Sequence, residues 1–487
     1  MGNQRSLTSR LLTRLIMAIL LMIAVFALTL LGSRSEPTQA DVSMPIRRVN
    51  VPYWSIPPAV FWFGEVNTTS NHADVRVRYT DENLRVVVHI IDRMLWKDLA
   101  PRPATLTDWD AVTLYLDLDG NSGQVPDANA YRLVAQLDGW EPNDLYQAGY
   151  RGNGSTWVVT PGLFTAQSEW RGNWFNDEID DKGWEAYLTV PFASLGLDGP
   201  PDEGTTWGMS VVVHDRDDAA GTPIPDRFWP ETMQPDVPDT WGQMAFGIPG
   251  YHPPPAMPQG TTVVRQGLDG ASVIDGHVGG HTVCGAGLDH WTEWGEANYA
   301  GYEQINIQNQ WDIADYPCFS KYYLTFPLDA LPTDKTIISA RLTMHLFGNA
   351  GGGDWGDAPD SYIQVLTIGE EWDEATLSWN SAPLAVENIT GTWVYPVLPG
   401  DEDQPHPYQW DIGRAVASAL ADRQPLRLAL YSADGPMHTG KYFWSSDVGD
   451  WNAEERPTLT VVWGEACDAP GVECHFIYLP LVVRRTD

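Results

Sequence analysis

The first half of the chain is written in segments that alternate apolar and polar residues or run apolar throughout. Asp74–Thr80 (DVRVRYT), Leu84–Asp92 (LRVVVHIID), Asp110–Asp119 (DAVTLYLDLD), Ala130–Asp138, Gly183–Phe192 and Trp207–Asp217 follow one another with turn-forming residues between them. Short runs of period two, bounded by Gly, Pro, Asp and Asn, mark strands, and no sustained helical period competes with them. Residues 45–250 are therefore expected to form an antiparallel β-sandwich. Strand-like segments resume from Thr261 to Gly464, among them Lys321–Pro332, Ile337–Phe347, Ile363–Pro383 and Arg456–Trp463. Between the two blocks, residues 251–260 read YHPPPAMPQG, which predicts a stiff linker.

The ends differ from the middle. Arg5, Arg10 and Arg14 precede an uncharged apolar run from Leu15 to Leu31. A positive region followed by such a run reads as a signal peptide or membrane anchor over residues 1–40, with everything after it exported. Cleavage stays open: Thr38-Gln39-Ala40 lies well past the run, which is itself near the lower length limit for a spanning helix. Membrane contact is expected only through this segment, if it is retained. Residues 465–487 form a Cys-containing tail ending in YLPLVVR, which resembles a tail of some secreted bacterial proteins and reads either as a sorting signal or as a paired edge strand.

Composition narrows the function. With 29 Lys+Arg against 64 Asp+Glu the formal net charge is −35, a field that repels phosphate backbones and argues against nucleic acid as a partner. The same surplus suits hard cations. There are 23 Trp and 19 Tyr, and exposed aromatic faces stack on the apolar faces of sugar rings. In an oxidising compartment the economical cysteine pairing is Cys284–Cys318 and Cys467–Cys474, although four cysteines permit three connectivities.

Two family resemblances follow from named motifs. The first block carries D-E-N-L-R-V-V-V (Asp81–Val88), the acidic end Asp92, W-D-A-V-T-L-Y-L-D (Trp109–Asp117), the strand and turn Gly183–Gly196, and W-G-M-S-V-V-V-H-D (Trp207–Asp215). In this order they resemble the family 9 carbohydrate-binding modules and their DOMON-like relatives. That resemblance implies a β-sandwich, often calcium-stabilised, binding polysaccharide ends. The tryptophan pair by which that family clamps a sugar has one counterpart here, Trp109, offset by about two positions. The second block carries Trp372, Glu374, Thr376 and Trp379 in W-x-E-x-T-x-x-W spacing, followed by Asn380 and Pro383. It resembles the DNRLRE, or disaggregatase-related, domains, also classed as family 96 carbohydrate-binding modules. This implies a jelly-roll sandwich with one short helix at Ile412–Leu420. An insertion from about His281 to Cys318 departs from that pattern.

The fold class expected is thus all-β, two antiparallel sandwiches joined by a Pro-rich linker over 251–260, the second spanning 261–464. Along Asp110–Asp119, Val112, Leu114, Leu116 and Leu118 share one face, and Thr113, Tyr115, Asp117 and Asp119 the other. Asp117 and Asp119 then repel at a strand end, and a cation or proton must relieve them. Calcium is the natural cofactor, with Asn121 adding an oxygen. Asp215 and Asp217 form a second acidic end, and Asn176–Asp181 a third acidic loop. An ordinary polar turn is the alternative at each.

No catalytic residue is assigned, since no G-x-S-x-G, HExxH or P-loop occurs and His214 has no nucleophile beside it in sequence. Glu371, Asp373 and Glu374 read as structural. Loop tryptophans are the stacking candidates: Trp109, Trp140, Trp170 and Trp174 in the first block, Trp291, Trp294 and Trp311 in the insertion. The function expected is an exported, surface-held or secreted bacterial protein that binds polysaccharide without catalysis, assisted by calcium. Two alternatives remain: an adhesive envelope or matrix protein working through protein–protein contacts, and a haem carrier using His89 and Met94.

Overall fold

The computed structural model describes residues 46–487 except 121–122, 140–142, 283, 285–286, 310–316, 352–357, 399, 402–403, 436–437, 468–473 and 475–487. The N-terminal signal or anchor and most of the C-terminal tail lie outside the described residues. No described helix is long and apolar enough to cross a membrane.

The fold is all-β, and its strands form four stacked layers. The outer layer of the first sandwich runs Gly242–Phe246, Thr206–His214, Ala111–Asp117, Ala130–Gln136, Gln147–Gly152 and Trp157–Val159. Its inner layer runs Ala59–Asn67, Ser70–Tyr79, Asn83–Ile91, Gly183–Pro191 and Thr165–Arg171. The inner layer of the second sandwich runs Ile274–Gly279, Ser320–Phe326, Leu426–Ser432, Ser361–Ile368 and Ala385–Val394. Ala256–Arg265, Thr458–Ala466, Thr336–Asn349, Lys441–Trp444 and Gln304–Ile307 form the outermost layer, with His406–Asp411 beside Thr336–Asn349. One helix, Gly413–Ala421, matches the short helix expected at Ile412–Leu420.

Strand alternation builds three cores from these layers. Val112, Leu114 and Leu116 meet Val75, Val77, Val86 and Val88 inside the first sandwich. Tyr322, Leu324, Leu428 and Leu430 meet Leu342 and Met344 inside the second. The third core lies between the sandwiches, where Val60, Trp62 and Ile91 pack on Tyr323, Leu366, Trp379 and Tyr431. Both middle sheets are therefore buried on two faces.

That third interface also holds polar groups. Asp74 Oδ2 accepts a 2.6 Å hydrogen bond from the Tyr431 hydroxyl, and its other oxygen lies 3.5 Å from His72 Nε2. Trp379 Nε1 lies 3.3 Å and Gly64 O 3.4 Å from His72 Nδ1, and the Lys321 amine 3.5 Å from Nε2, so the ring is contacted on both nitrogens. The Lys321 amine lies 3.5 Å from the Trp379 ring centre and 4.4 Å from that of Trp62. Burial would raise Asp74, but His72, Lys321 and Arg76 outweigh it and hold the carboxyl at about 2. Burial draws the Lys321 amine down to about 7.

Two details extend the expected architecture. The stiff Pro-rich stretch 251–260 joins the sandwiches and also takes part in a sheet. Its second half enters the edge strand Ala256–Arg265, with a bulge between Pro258 and Gly260, and the Tyr251 hydroxyl donates to Ile337 O at 2.6 Å. Proline lacks the N–H that an inner strand needs, and an edge or bulge tolerates it. Among the described residues the sheets are antiparallel as expected, apart from one strand. Arg48–Val51 pairs in parallel with Gln243–Phe246, and Arg48 pairs with Glu387, so one strand links an outer and an inner layer. Asn50 and Asn388 close this joint with reciprocal side-chain to main-chain hydrogen bonds of 2.7–2.9 Å.

A joint of this kind makes the sandwiches one cooperative unit. A single calorimetric transition is expected, whereas two resolved transitions would contradict it. Tyr431→Phe, which strips Asp74 of its hydroxyl donor, should cost about 1–3 kcal/mol in denaturant unfolding.

Candidate functional site

Three strand ends of the first sandwich meet at one rim. Asn83–Ile91 ends there and is followed by Asp92, Ala111–Asp117 begins there and is preceded by Asp110, and Thr206–His214 ends there and is followed by Asp215. The carboxylates of Asp92, Asp110 and Asp215 are all buried, with one oxygen from each lying within 4.8 Å of the others. Asp110 is held on both oxygens: Trp96 N donates to Oδ2 at 2.6 Å and Arg216 N to Oδ1 at 2.9 Å. Met94 N donates to Asp92 Oδ1 at 3.1 Å. Among the described residues, nothing donates a hydrogen bond to the buried Asp92 Oδ2 or Asp215 Oδ1.

Such a cluster cannot remain fully ionised without a counter-charge. Burial, and then the neighbouring negative charges, push Asp92 and Asp110 well above the ordinary carboxylate range. Burial and the adjacent Asp217 raise Asp215 to about 7, and burial raises half-buried Asp217 to about 6. The donor set fits calcium. Oxygens on opposite sides of a calcium ion, with bonds of 2.3–2.6 Å, stand about 4.6–5.2 Å apart, which brackets the observed limit. Two unmet carboxylate oxygens supply lone pairs for it.

The segment 93–98 leaves this centre and is laced to the acidic loop 173–181. Asn176 N donates to Leu95 O at 2.7 Å, Asp181 N to Arg93 O at 2.7 Å, and Lys97 N to Asn176 Oδ1 at 2.7 Å. Asp181 is spent on backbone N–H groups of Leu95 and Asn173. Trp174 stands on this loop, 54% exposed, stacked on Phe175 at 4.4 Å and edge-on to Trp170 at 5.1 Å.

The structure divides the residues singled out from sequence. Asp215 and Asp217 lie at the carboxylate centre. Asp117 and Asp119 lie at the other end of the Ala111–Asp117 strand, roughly 20 Å away at the usual strand rise. Their oxygens serve the local turn: Asp119 N donates to Asp117 Oδ1 at 3.1 Å, and Asn129 Nδ2 to Asp119 Oδ2 at 2.5 Å. Asn121 and Trp140, like Trp311, lie outside the described residues. Trp294 is 0% exposed, packed on Phe319 and Trp379, and Trp170 is buried as well, so neither is a stacking surface. Trp291 and Trp109 are half-buried, the latter against Gly221. The haem reading fails on geometry: His89 is fully enclosed between the two middle sheets, with Nδ1 3.4 Å from Glu185 Oε1, and offers no face to a macrocycle. Both expected disulfides, Cys284–Cys318 and Cys467–Cys474, are present.

Asp110, the partners of His214 and the Trp451 ladder were not singled out from sequence. Asp110 was passed over although it opens the same strand as Asp117. His214 joins Thr113 Oγ1 at 2.9 Å to Asp226 Oδ1 at 3.0 Å, but Thr113 is 0% exposed, which leaves this a structural tie. On the outermost layer Trp451 is 72% exposed and meets Trp444 edge-on at 5.6 Å, and Trp444 stacks on Phe347 at 4.3 Å. The setting GDWNAEE is the same polar loop context that singled out Trp174.

Comparison with known proteins adds the following. Residues 290–460 match the model of carbohydrate-binding module family 96, which meets the resemblance drawn from Trp372, Glu374, Thr376 and Trp379. Among solved structures, a carbohydrate binding module family 9 from Caldicellulosiruptor kristjanssonii in complex with cellotriose is 14% identical with a TM-score of 0.29, covering 41% of this chain and 94% of that one. The complex of such a module with glucose gives 14% and 0.29, over 42% and 99%. A putative carbohydrate-binding protein from Bacteroides uniformis ATCC 8492 gives 9% and 0.31, over 41% and 99%. No curated protein matches the chain.

The carboxylate centre has a defined pH signature. Without calcium, the folded chain keeps protons on these raised carboxyls at pH values where the unfolded chain has lost them. The contribution of this cluster to stability should therefore be full below about pH 4 and fall as pH rises through about 7. Calcium competes with the same protons, so its stabilising effect should grow across that interval and vanish in Asp215→Asn. Thermal melts at about pH 5 and about pH 8, with calcium and with EDTA, read this directly. A calcium effect independent of pH would put the ion elsewhere.

Proposed function

We propose that this is an exported, non-catalytic polysaccharide-binding protein. Its exposed aromatic stacks take the faces of sugar rings, and a calcium ion at Asp92, Asp110 and Asp215 fastens the loops of the first sandwich. The observation that carries this reading is the Phe347–Trp444–Trp451 ladder, which lies within the segment matching family 96 and ends in a tryptophan 72% exposed. A large aromatic left in water beside polar side chains is poorly explained by folding alone and suits an apolar sugar face.

Calcium enters through positions rather than direct contact. Asp92 and Asp110 hold the start of the 93–98 segment, and that segment holds the loop carrying Trp174. Loss of the ion would loosen the second stacking surface without touching the first. The carbohydrate-binding match and the two disulfides also support an extracellular setting.

Tryptophan fluorescence titrated with a polysaccharide panel tests the proposal. One glycan class should give a saturable shift. Trp451→Ala should weaken it about tenfold or more, since stacking is worth roughly 1–3 kcal/mol by analogy with other aromatic platforms. EDTA should weaken the Trp174 contribution alone. No response to any glycan, with Trp451 and Trp174 variants unchanged, would turn the same surfaces over to the adhesive, protein-binding reading.

A further inference from the structure

The insertion between His281 and Cys318 gathers two imidazoles and two phenols at the edge of the second sandwich. His277 lies on the strand Ile274–Gly279, opposite Tyr322, and is 1% exposed. His281 is half-buried just beyond that strand, its ring centre 5.5 Å from that of His277. Tyr299 stacks on His277 at 4.5 Å and on His281 at 5.8 Å, and Tyr302 meets His281 edge-on at 4.9 Å.

Four polar atoms of this group lack partners among the described residues. Both ring nitrogens of His277, Nε2 of His281 and the hydroxyl of Tyr299 are buried with no hydrogen bond, and Tyr299 is 7% exposed. A neutral imidazole has one donor and one acceptor to satisfy, and each buried polar group left unmet costs about 1–3 kcal/mol. Four such atoms in one place, with an imidazole lone pair of His277 among them, leave room for a ligand that takes lone pairs. Thr282 Oγ1 lies 3.2 Å from Nδ1 of His281; with Nδ1–H donating to that hydroxyl, the buried Nε2 keeps its lone pair for the ligand.

Spacing and softness narrow the ligand. A nitrogen bonded at about 2.0–2.1 Å puts a metal roughly 3 Å from the imidazole centre, so two rings on one ion at tetrahedral to trigonal angles have centres about 5–5.5 Å apart. The observed 5.5 Å falls at that limit. Imidazole donors suit zinc and copper, whereas calcium and magnesium take oxygen. The two ends of the insertion are tied together: Cys284 is bonded to Cys318, Cys284 N donates to His281 O at 2.9 Å, and Gly280 N to Phe319 O at 2.8 Å.

We propose that His277 and His281 form a site for a divalent first-row transition ion, zinc or copper(II), which fastens the insertion to the sheet edge. Water completes the coordination, and the Tyr299 hydroxyl is the group available to hold it. The site is separate from the carboxylate centre and does not depend on glycan binding.

Equilibrium dialysis of the calcium-loaded full chain against zinc tests it. One zinc per chain should bind, with affinity falling more than about 100-fold in His281→Gln, beyond what losing an outer partner of a ligand costs. His281 is half-exposed, so this variant should keep its zinc-free melting temperature, and Asp215→Asn should leave zinc uptake unchanged. Copper(II) paramagnetic resonance should show two coupled nitrogens in the parent protein and one in His281→Gln. Undiminished zinc binding in His281→Gln, loss of zinc in Asp215→Asn, absence of binding at micromolar zinc, or a copper spectrum with oxygen donors alone would each overturn the proposal.

Discussion

Asp74 sits ionised between two β-sheets, out of reach of water, and the second sandwich supplies the groups that make this tolerable. Burying a carboxylate costs several kcal/mol even after relaxation. Here the cost is offset by the Tyr431 hydroxyl at 2.6 Å and by Lys321, both from the other sandwich, with His72 and Arg76 from its own strand. Neither sandwich would present a sensible surface alone. The first would expose Trp62 and Val60 beside a row of charges, the second Tyr323, Tyr431 and Trp379. The apolar groups drive the contact, and the buried charges restrict it to one register, because a slip of one residue turns Asp74 into the opposite, wholly apolar core.

Function is thereby displaced to the rims and the outer faces. Both surfaces of the two middle sheets are consumed by packing, and strand ends, loops and the outermost layer are what remain. The carboxylate centre, the Trp174 loop, the Trp451 ladder and the imidazole pair all lie in such places. The W-x-E-x-T-x-x-W motif shows the division clearly. Trp379 donates to His72, and Asn380 exchanges hydrogen bonds with the backbone of Val66 at 2.8 and 3.1 Å. Its tryptophan and the asparagine after it are spent on holding the sandwiches together, which explains why neither is a stacking surface despite belonging to a carbohydrate-binding pattern.

What the sequence disclosed follows from how local each feature is. Alternation placed Val112, Leu114 and Leu116 on the core face, because a period of two needs only the strand itself. The disulfides followed from spacing and compartment. The carboxylate centre followed only in part: Asp215 stood out as an acidic strand end, but its meeting with Asp92 and Asp110 is made by topology, two strand ends and one strand start at one rim. Asp117 and Asp119 looked equally suitable in one dimension, and their neighbours Asn129 and the turn amides satisfied them instead. The Pro-rich stretch was legible in part for a related reason. Proline signals absent donors, and an edge strand with a bulge meets that condition as well as a linker does. Trp294 stands in a polar loop and is still 0% exposed, because the insertion folds back onto Phe319 and Trp379.

The rigid joint changes what two binding surfaces on one chain can achieve. With a flexible linker, a second contact gains from an effective concentration set by linker length, and many spacings of ligand are accepted. Here the Arg48–Val51 strand and the buried network around Asp74 fix the Trp174 and Trp451 surfaces to one body, so no linker entropy is lost on double engagement and no adjustment is available either. The gain in avidity is then confined to ligands whose sugar rings repeat at the fixed separation over a sufficient length. On the proposed reading, a short soluble oligosaccharide would engage one surface, whereas an extended, regular polysaccharide whose repeat matches their separation would engage both, and stiffness would then select polymer over fragment.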